Sequence, residues 1–89
     1  MPTVEFTRNL ARHVECPAEE VAGGTVREAL EAYFARHPGV RSYVLDEQES
    51  VRHHVVVFVD GRQMRDRKRL DEGLGPSSIV SVMQALSGG

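Results

Sequence analysis

The chain ends in Ser87-Gly88-Gly89, directly after an apolar stretch that runs Ile79-Val80-Ser81-Val82-Met83-Gln84-Ala85-Leu86. Glycine loses more backbone freedom on ordering than any other residue, so a Gly-Gly ending is a poor way to fix a fold. It is a good way to present a carboxylate. No Cβ obstructs entry into a narrow site, and three extended residues reach about 10 Å beyond a folded body. The chemistry this suggests is that of a protein whose reactive group is its own α-carboxylate. Gly89 would carry it, and Ser87 and Gly88 would form the tail that enters a partner's active site.

Other reactive residue types do not assemble into a pattern. His53 and His54 are adjacent, and neighbours in a strand point to opposite faces, so the pair does not suit one metal ion. His13 and His37 add no matching spacing, and no metal site is expected. Cys16 is the single cysteine, which excludes an internal disulfide and reads as a passive thiol unless a base lies beside it. No carboxylate pair, nucleophile–base arrangement or phosphate-cradling loop stands out, so an independent enzyme is not expected. Arg62, Arg65, Arg67, Lys68 and Arg69 crowd one segment around Asp66. Nucleic-acid binding would need stacking aromatics nearby, and none is present, so docking onto an acidic partner suits this run better.

Eighty-nine residues make one domain with a single core. Apolar residues form 40% of the chain and charged residues 27%, and the formal charge is −2. These values fit a soluble globular protein without a general pull toward nucleic acid or membrane. Glu5, Arg8, Arg12 and His13 interrupt the first fifteen positions, so no signal peptide is expected. The longest apolar run, Val55 to Val59, is too short to span a bilayer. A cytoplasmic location follows as the expectation, consistent with the lone thiol.

The elements that would position the tail follow from periodicity. Thr3-Val4-Glu5-Phe6-Thr7 alternates as a half-buried strand does, and His13-Val14-Glu15-Cys16 is read as the start of a second strand in a hairpin with it. Gly23-Gly24 punctuates the chain. Thr25 and Glu28 then form a capping-box pattern ahead of Val26, Ala29, Leu30, Tyr33 and Phe34, the apolar stripe of a helix stopped by Pro38-Gly39. Ser42-Tyr43-Val44-Leu45 is read as a short strand. Val55–Val59 is a central strand, apolar on both faces, closed by the tight-turn dipeptide Asp60-Gly61. Met64 and Leu70 are inward candidates in the polar segment that follows. Gly75-Pro76-Ser77-Ser78 turns into the last strand from Ile79. One helix can cover only one side of such a sheet. One alternate set on Val55–Val59, with Val56 and Phe58 as the candidates, is therefore expected to form an exposed apolar partner surface together with Ile79 and Met83, or with Val80 and Val82, unless loops cover it.

Over essentially its whole length this pattern resembles the β-grasp fold of the ubiquitin-like small sulfur carriers. That family includes the small subunit of molybdopterin synthase and the sulfur carrier of the thiamine pathway. The residues that carry the resemblance are Thr3–Thr7, the helix from Thr25, Val55–Val59 with Asp60-Gly61, and Ile79 onward to Gly88-Gly89. It implies an α+β fold with a mixed four- to five-stranded sheet and one main helix on one face. Residues 1–86 would form the domain and 87–89 the tail. It also implies a carrier rather than an enzyme, with no bound cofactor. A ubiquitin-activating-type enzyme would use ATP and Mg to adenylate the Gly89 carboxylate. A sulfur donor (a sulfurtransferase or cysteine desulfurase) would convert it to a thiocarboxylate, and a sulfur-accepting enzyme would take the sulfur for cofactor, cysteine or other biosynthesis. The molybdopterin synthase subunit carries two prolines shortly before its Gly-Gly, where this chain has Gln84-Ala85-Leu86, so the acceptor pathway stays open. The alternative is a ubiquitin-like modifier, or a module that only binds.

Overall fold

The computed structural model describes residues 1–12 and 14–84. In chain order the described elements are β1 (Thr3–Phe6), the single turn α1 (Arg8–Ala11), β2 (Glu19–Glu20), α2 (Val26–Arg36), α3 (Pro38–Val44), β3 (Val55–Val59), β4 (Arg62–Gln63) and β5 (Ile79–Gln84). The described strands form a five-stranded sheet in the order β2-β1-β5-β3-β4. β5 runs parallel to β1 and antiparallel to β3, which makes the sheet mixed. With α2 across one face, this is the expected β-grasp architecture.

α2 forms where its apolar stripe predicts. Val26, Ala29, Leu30, Tyr33 and Phe34 are all buried, one face of a helix against one face of the sheet. Its first-turn amides would be orphans in isolation. Here Val26 N–H donates to Glu72 O at 3.0 Å and Arg27 N–H to Leu70 O at 2.8 Å. Glu28 N–H donates to Thr25 Oγ1 at 3.2 Å. The reciprocal arm of the capping box reaches one residue further back than the sequence pattern suggests: Glu28 Oε1 accepts from Gly24 N–H at 2.8 Å. The loop after β4 thus clasps the helix start.

Opposite the helix, strand alternation divides the side chains cleanly. Val55, Val57 and Val59 on β3, Val80 and Val82 on β5 and Val4 on β1 point into the core. Met64 and Leu70 join them there. The Asp60-Gly61 turn has positive φ at both central residues, 51° and 84°, the type I′ signature of a two-residue hairpin. The Asp60 carboxylate also accepts from Ser78 Oγ at 3.0 Å and from Ile79 N–H at 2.9 Å, so the hairpin tip fixes where β5 begins.

Three expectations are corrected. Residues 42–45 are not a strand; Ser42 to Val44 finish α3, and only Leu45 makes an isolated bridge, with Val51. Pro38 does not simply stop a helix but opens the next one, because at a first helical position its missing N–H would have had no partner anyway. His37, at φ −130° and ψ 69°, makes the break between them. The hairpin with β1 exists, but its second strand is Glu19–Glu20 rather than a run from His13. Arg8–Ala11 coils instead, and Pro17 offers its carbonyl to Tyr33 Oη at 2.7 Å. His13 itself lies outside the described residues.

Gly23 is the tightest point of the fold. A Cβ there would sit 2.6 Å from Ala29 N and 2.9 Å from Ala29 Cα, a clash with helix backbone that no rotamer relieves. Gly23→Ala is expected to cost about 1–3 kcal/mol. Gly61→Ala meets no atom within 4 Å and carries only backbone strain. Urea unfolding of the two variants checks the contrast, and equal losses would show that the helix start yields.

Candidate functional site

β5 has a neighbour on each side: Thr3 to Phe6 face Ile79 to Val82, and Val55 to Val59 face Gln84 to Val80, so Met83 and Gln84 pair with β3 alone. The last described pair, Val55 with Gln84, places the chain at the end of the sheet formed by the start of β3. The expected reactive tail, Ser87, Gly88 and Gly89, lies outside the described residues. What the structure describes is the strand that leads to it.

The candidate partner residues share one face of the sheet. Val56 is the Cα partner of Met83, and Phe58 that of Ser81, with Ile79 two positions earlier on β5. This is the face opposite α2. Ile79 is 43% exposed and Met83 38%, while Val56 and Phe58 are half-buried. Polar groups border them: Ser81 Oγ donates to Glu5 Oε2 at 2.9 Å, and Gln63 pairs with Phe58 at the β4 edge. The result is a small apolar strip with a polar rim rather than a ligand cavity.

The basic run separates into structural and exposed members. Arg67 Nη2 donates to the carbonyl oxygens of Val51, Arg52 and Val55, the last at 2.6 Å. This guanidinium therefore clamps the entry to β3. Arg62 is ion-paired with Glu72 at 3.0 Å. Asp66 organises the turn, its Oδ1 accepting from Lys68 N–H at 3.1 Å and Arg69 N–H at 2.9 Å. These amides, and the charges of Arg69 and Lys68 behind them, hold the Asp66 carboxyl below its ordinary range. The side chains of Arg65, Lys68 and Arg69 remain exposed. A run of like charge concealed a clamp, which periodicity alone does not reveal.

The other reactive types stay apart from this region. His53 and His54 stand in a turn before β3, not in the strand, with ring centroids 5.3 Å apart in an edge-to-face arrangement. Among the described residues no group of three His, Cys, Asp or Glu side chains could hold a metal. Cys16 is buried, and burial pushes its thiol pKa up, the opposite of activation. At the β2 edge, Glu19 Oε2 lies 3.0 Å from His37 Nε2 and Oε1 lies 3.4 Å from Arg36 Nη1. The imidazole contact is a close approach without an aligned hydrogen bond. His37 first and Arg36 second hold the Glu19 carboxyl below its usual range. Among the described residues no helix is long and apolar enough to cross a membrane.

Comparison with known proteins decides the family. The ThiS family model matches residues 7–89. The chain belongs to the ThiS family. No curated protein matches it, but solved structures do. One is a chain of the Amycolatopsis orientalis BexX/CysO complex, at 23% identity and TM-score 0.83, covering 100% of both chains. The Mycobacterium tuberculosis CysO structure matches at 17% identity and TM-score 0.81, over 97% of this chain and 100% of that one. SAMP1 from Haloferax volcanii matches at 24% identity and TM-score 0.77, over 99% and 98%. At such identities the likeness shows a shared β-grasp fold. This ThiS-family chain has that fold over its described residues.

The two lowered carboxyl pKa values set an acid limb of stability. A group that is more acidic in the folded state than in the unfolded state stabilises fully above the ordinary carboxylate range. That contribution is lost as pH falls through its folded-state value. Stability should therefore decline on acidification through and below the usual Asp and Glu range. The loss from Asp66→Ala should be largest near neutral pH and shrink in acid, as measured by urea midpoints across pH. A loss that stays constant with pH would mean that the charge on Asp66 is not what holds the turn.

Proposed function

We propose that this protein is a sulfur carrier that works through the carboxylate of Gly89. An adenylating enzyme of the ubiquitin-activating type, using ATP and Mg, would join that carboxylate to AMP with loss of pyrophosphate. A carboxylate is a poor electrophile, and adenylation gives its carbonyl carbon a good leaving group. The outer sulfur of a persulfide on a sulfurtransferase or cysteine desulfurase would then attack the carbonyl carbon and displace AMP. A second thiol would cleave the resulting acyl disulfide, leaving a thiocarboxylate and an oxidised donor disulfide. The thioacid is a nucleophilic sulfur held on a protein handle, delivered to an accepting enzyme without release as free sulfide. The carrier acts as co-substrate, with the catalytic groups on its partners.

The observation that carries this reading is the ThiS-family match, which extends through Gly88-Gly89. The open strip of Val56, Phe58, Ile79 and Met83 supports it as the surface by which a partner would hold the body while the tail reacts. The complex in which the similar Amycolatopsis orientalis chain was solved is a precedent for association. A second reading is favoured by the likeness to SAMP1, described for Methanosarcina acetivorans as a small archaeal modifier protein. In that reading Gly89 would be joined to lysine side chains of other proteins.

Intact-mass measurement after incubation with the activating enzyme, ATP and a sulfur donor tests the first reading. The expected product has one oxygen of the Gly89 carboxyl replaced by sulfur. An unchanged mass with active partners present would overturn it, and Gly-Gly remnants on lysines of target proteins would establish the second.

The strip gives a separate test. Ile79→Glu combined with Met83→Glu should leave the unfolding free energy within about 1 kcal/mol of the parent, because both side chains are exposed. It should weaken association with the activating enzyme by about tenfold or more, since a charge would have to be desolvated in the interface. Unaltered association, measured by titration calorimetry, would place the docking surface elsewhere.

A further inference from the structure

The β4 edge carries a second surface that the carrier reading does not use. A groove of about 680 Å³ runs along it, lined by Arg62, Gln63, Met64, Arg65 and Arg67. Met64 is buried at its base, while Arg62, Gln63 and Arg65 are exposed. The backbone here is a sheet edge with a free side. Arg62 pairs with Val59, and Met64 N–H donates to Val57 O at 2.8 Å. Alternation in an antiparallel ladder then turns the N–H and C=O of the intervening Gln63 outward, away from β3.

Charge is concentrated at the same place. The chain as a whole has a formal charge of −2, yet five of its eleven Lys and Arg residues fall between 62 and 69, with Asp66 as the one acid among them. The acids nearest in sequence are engaged or lie beyond the groove lining. Asp66 accepts from the turn amides, Glu72 already sits on the Arg62 guanidinium, and Asp71 follows Leu70. The Arg62–Glu72 pair shows that a carboxylate can reach Arg62 at 3.0 Å while that side chain stays 70% exposed.

We propose that this groove accepts an extended acidic segment of a partner protein. The segment would pair its backbone with the outward groups of Gln63 and set its carboxylates on Arg62 and Arg65. Edge-strand addition provides the main-chain hydrogen bonds, and alternate side chains of the added strand supply specificity. Arginine suits the role because its planar fork matches a carboxylate in two-point contact. Arg67 contributes position rather than binding, since its guanidinium is committed to the carbonyls before β3. The site stands independently of what happens at Gly89.

The test is an NMR titration of the full chain with an end-blocked oligoglutamate peptide, run beside a length-matched oligothreonine peptide and an oligothymidylate. Oligoglutamate should shift amide signals within residues 62–67, led by Gln63, and its affinity should fall as salt rises. Arg62→Glu with Arg65→Glu should weaken it by about tenfold or more. Arg65→Gln alone should weaken it less, and serves if the double variant is poorly folded. Oligothreonine should bind weakly or not at all. Shifts confined to the Val56–Met83 strip, unchanged affinity in the variants, or tighter binding of oligothymidylate would each overturn the proposal.

Discussion

β5 is the strand on which the molecule is organised. It is the last described strand in the sequence, yet it lies in the middle of the sheet, with β1 parallel on one side and β3 antiparallel on the other. The parallel pairing joins the two ends of the chain across the whole intervening sequence. Parallel strands need a crossover connection, and here the crossover carries α2 over the sheet. Ile79 to Val82 of β5 pair with β1 and Val80 to Gln84 with β3, so its position is fixed by the sheet rather than by a local turn.

Side chains that read as solvated charge enforce this arrangement at three points. Asp60 ties the β3–β4 turn to the first residues of β5. Arg67 collects the carbonyls ahead of β3. Asp66 folds the basic turn between them. Each works by giving a loop's backbone groups the partners that regular structure would otherwise supply, which is how short loops are held without added core. The same segment then delivers Leu70 to the core and its carbonyl to α2. Loop and helix start are therefore one structural unit.

With α2 packed on one side of the sheet, the opposite face meets water or another protein. Here the face opposite α2 carries an apolar strip bordered by Glu5, Ser81 and Gln63, and the adjoining β4 edge carries guanidinium groups. The two surfaces differ in what they would recognise: the strip answers to apolar contact, the edge to carboxylates.

The sequence by itself determined what local rules control. α2 and its buried stripe were legible because helix period, cap and punctuation agreed. β3, its I′ turn and the inward Met64 and Leu70 followed from apolar runs set against polar ones. Alternation sorted the faces within each strand, and the register of β3 on β5 decided that Ile79 and Met83, not Val80 and Val82, lie beside Val56 and Phe58. The Gly-Gly ending and the element order together carried the family. What only tertiary structure decided were the outcomes of weak local preference. Ser42–Leu45 has strand-like residues, but Val40 and Val44 are one helical turn apart and both are buried, so packing turned the segment into α3. The second strand shifted to Glu19–Glu20 because β1 offered its register there. Arg67 became a clamp because the fold carried three carbonyls to it, a long-range coincidence that its charged neighbours in sequence cannot encode.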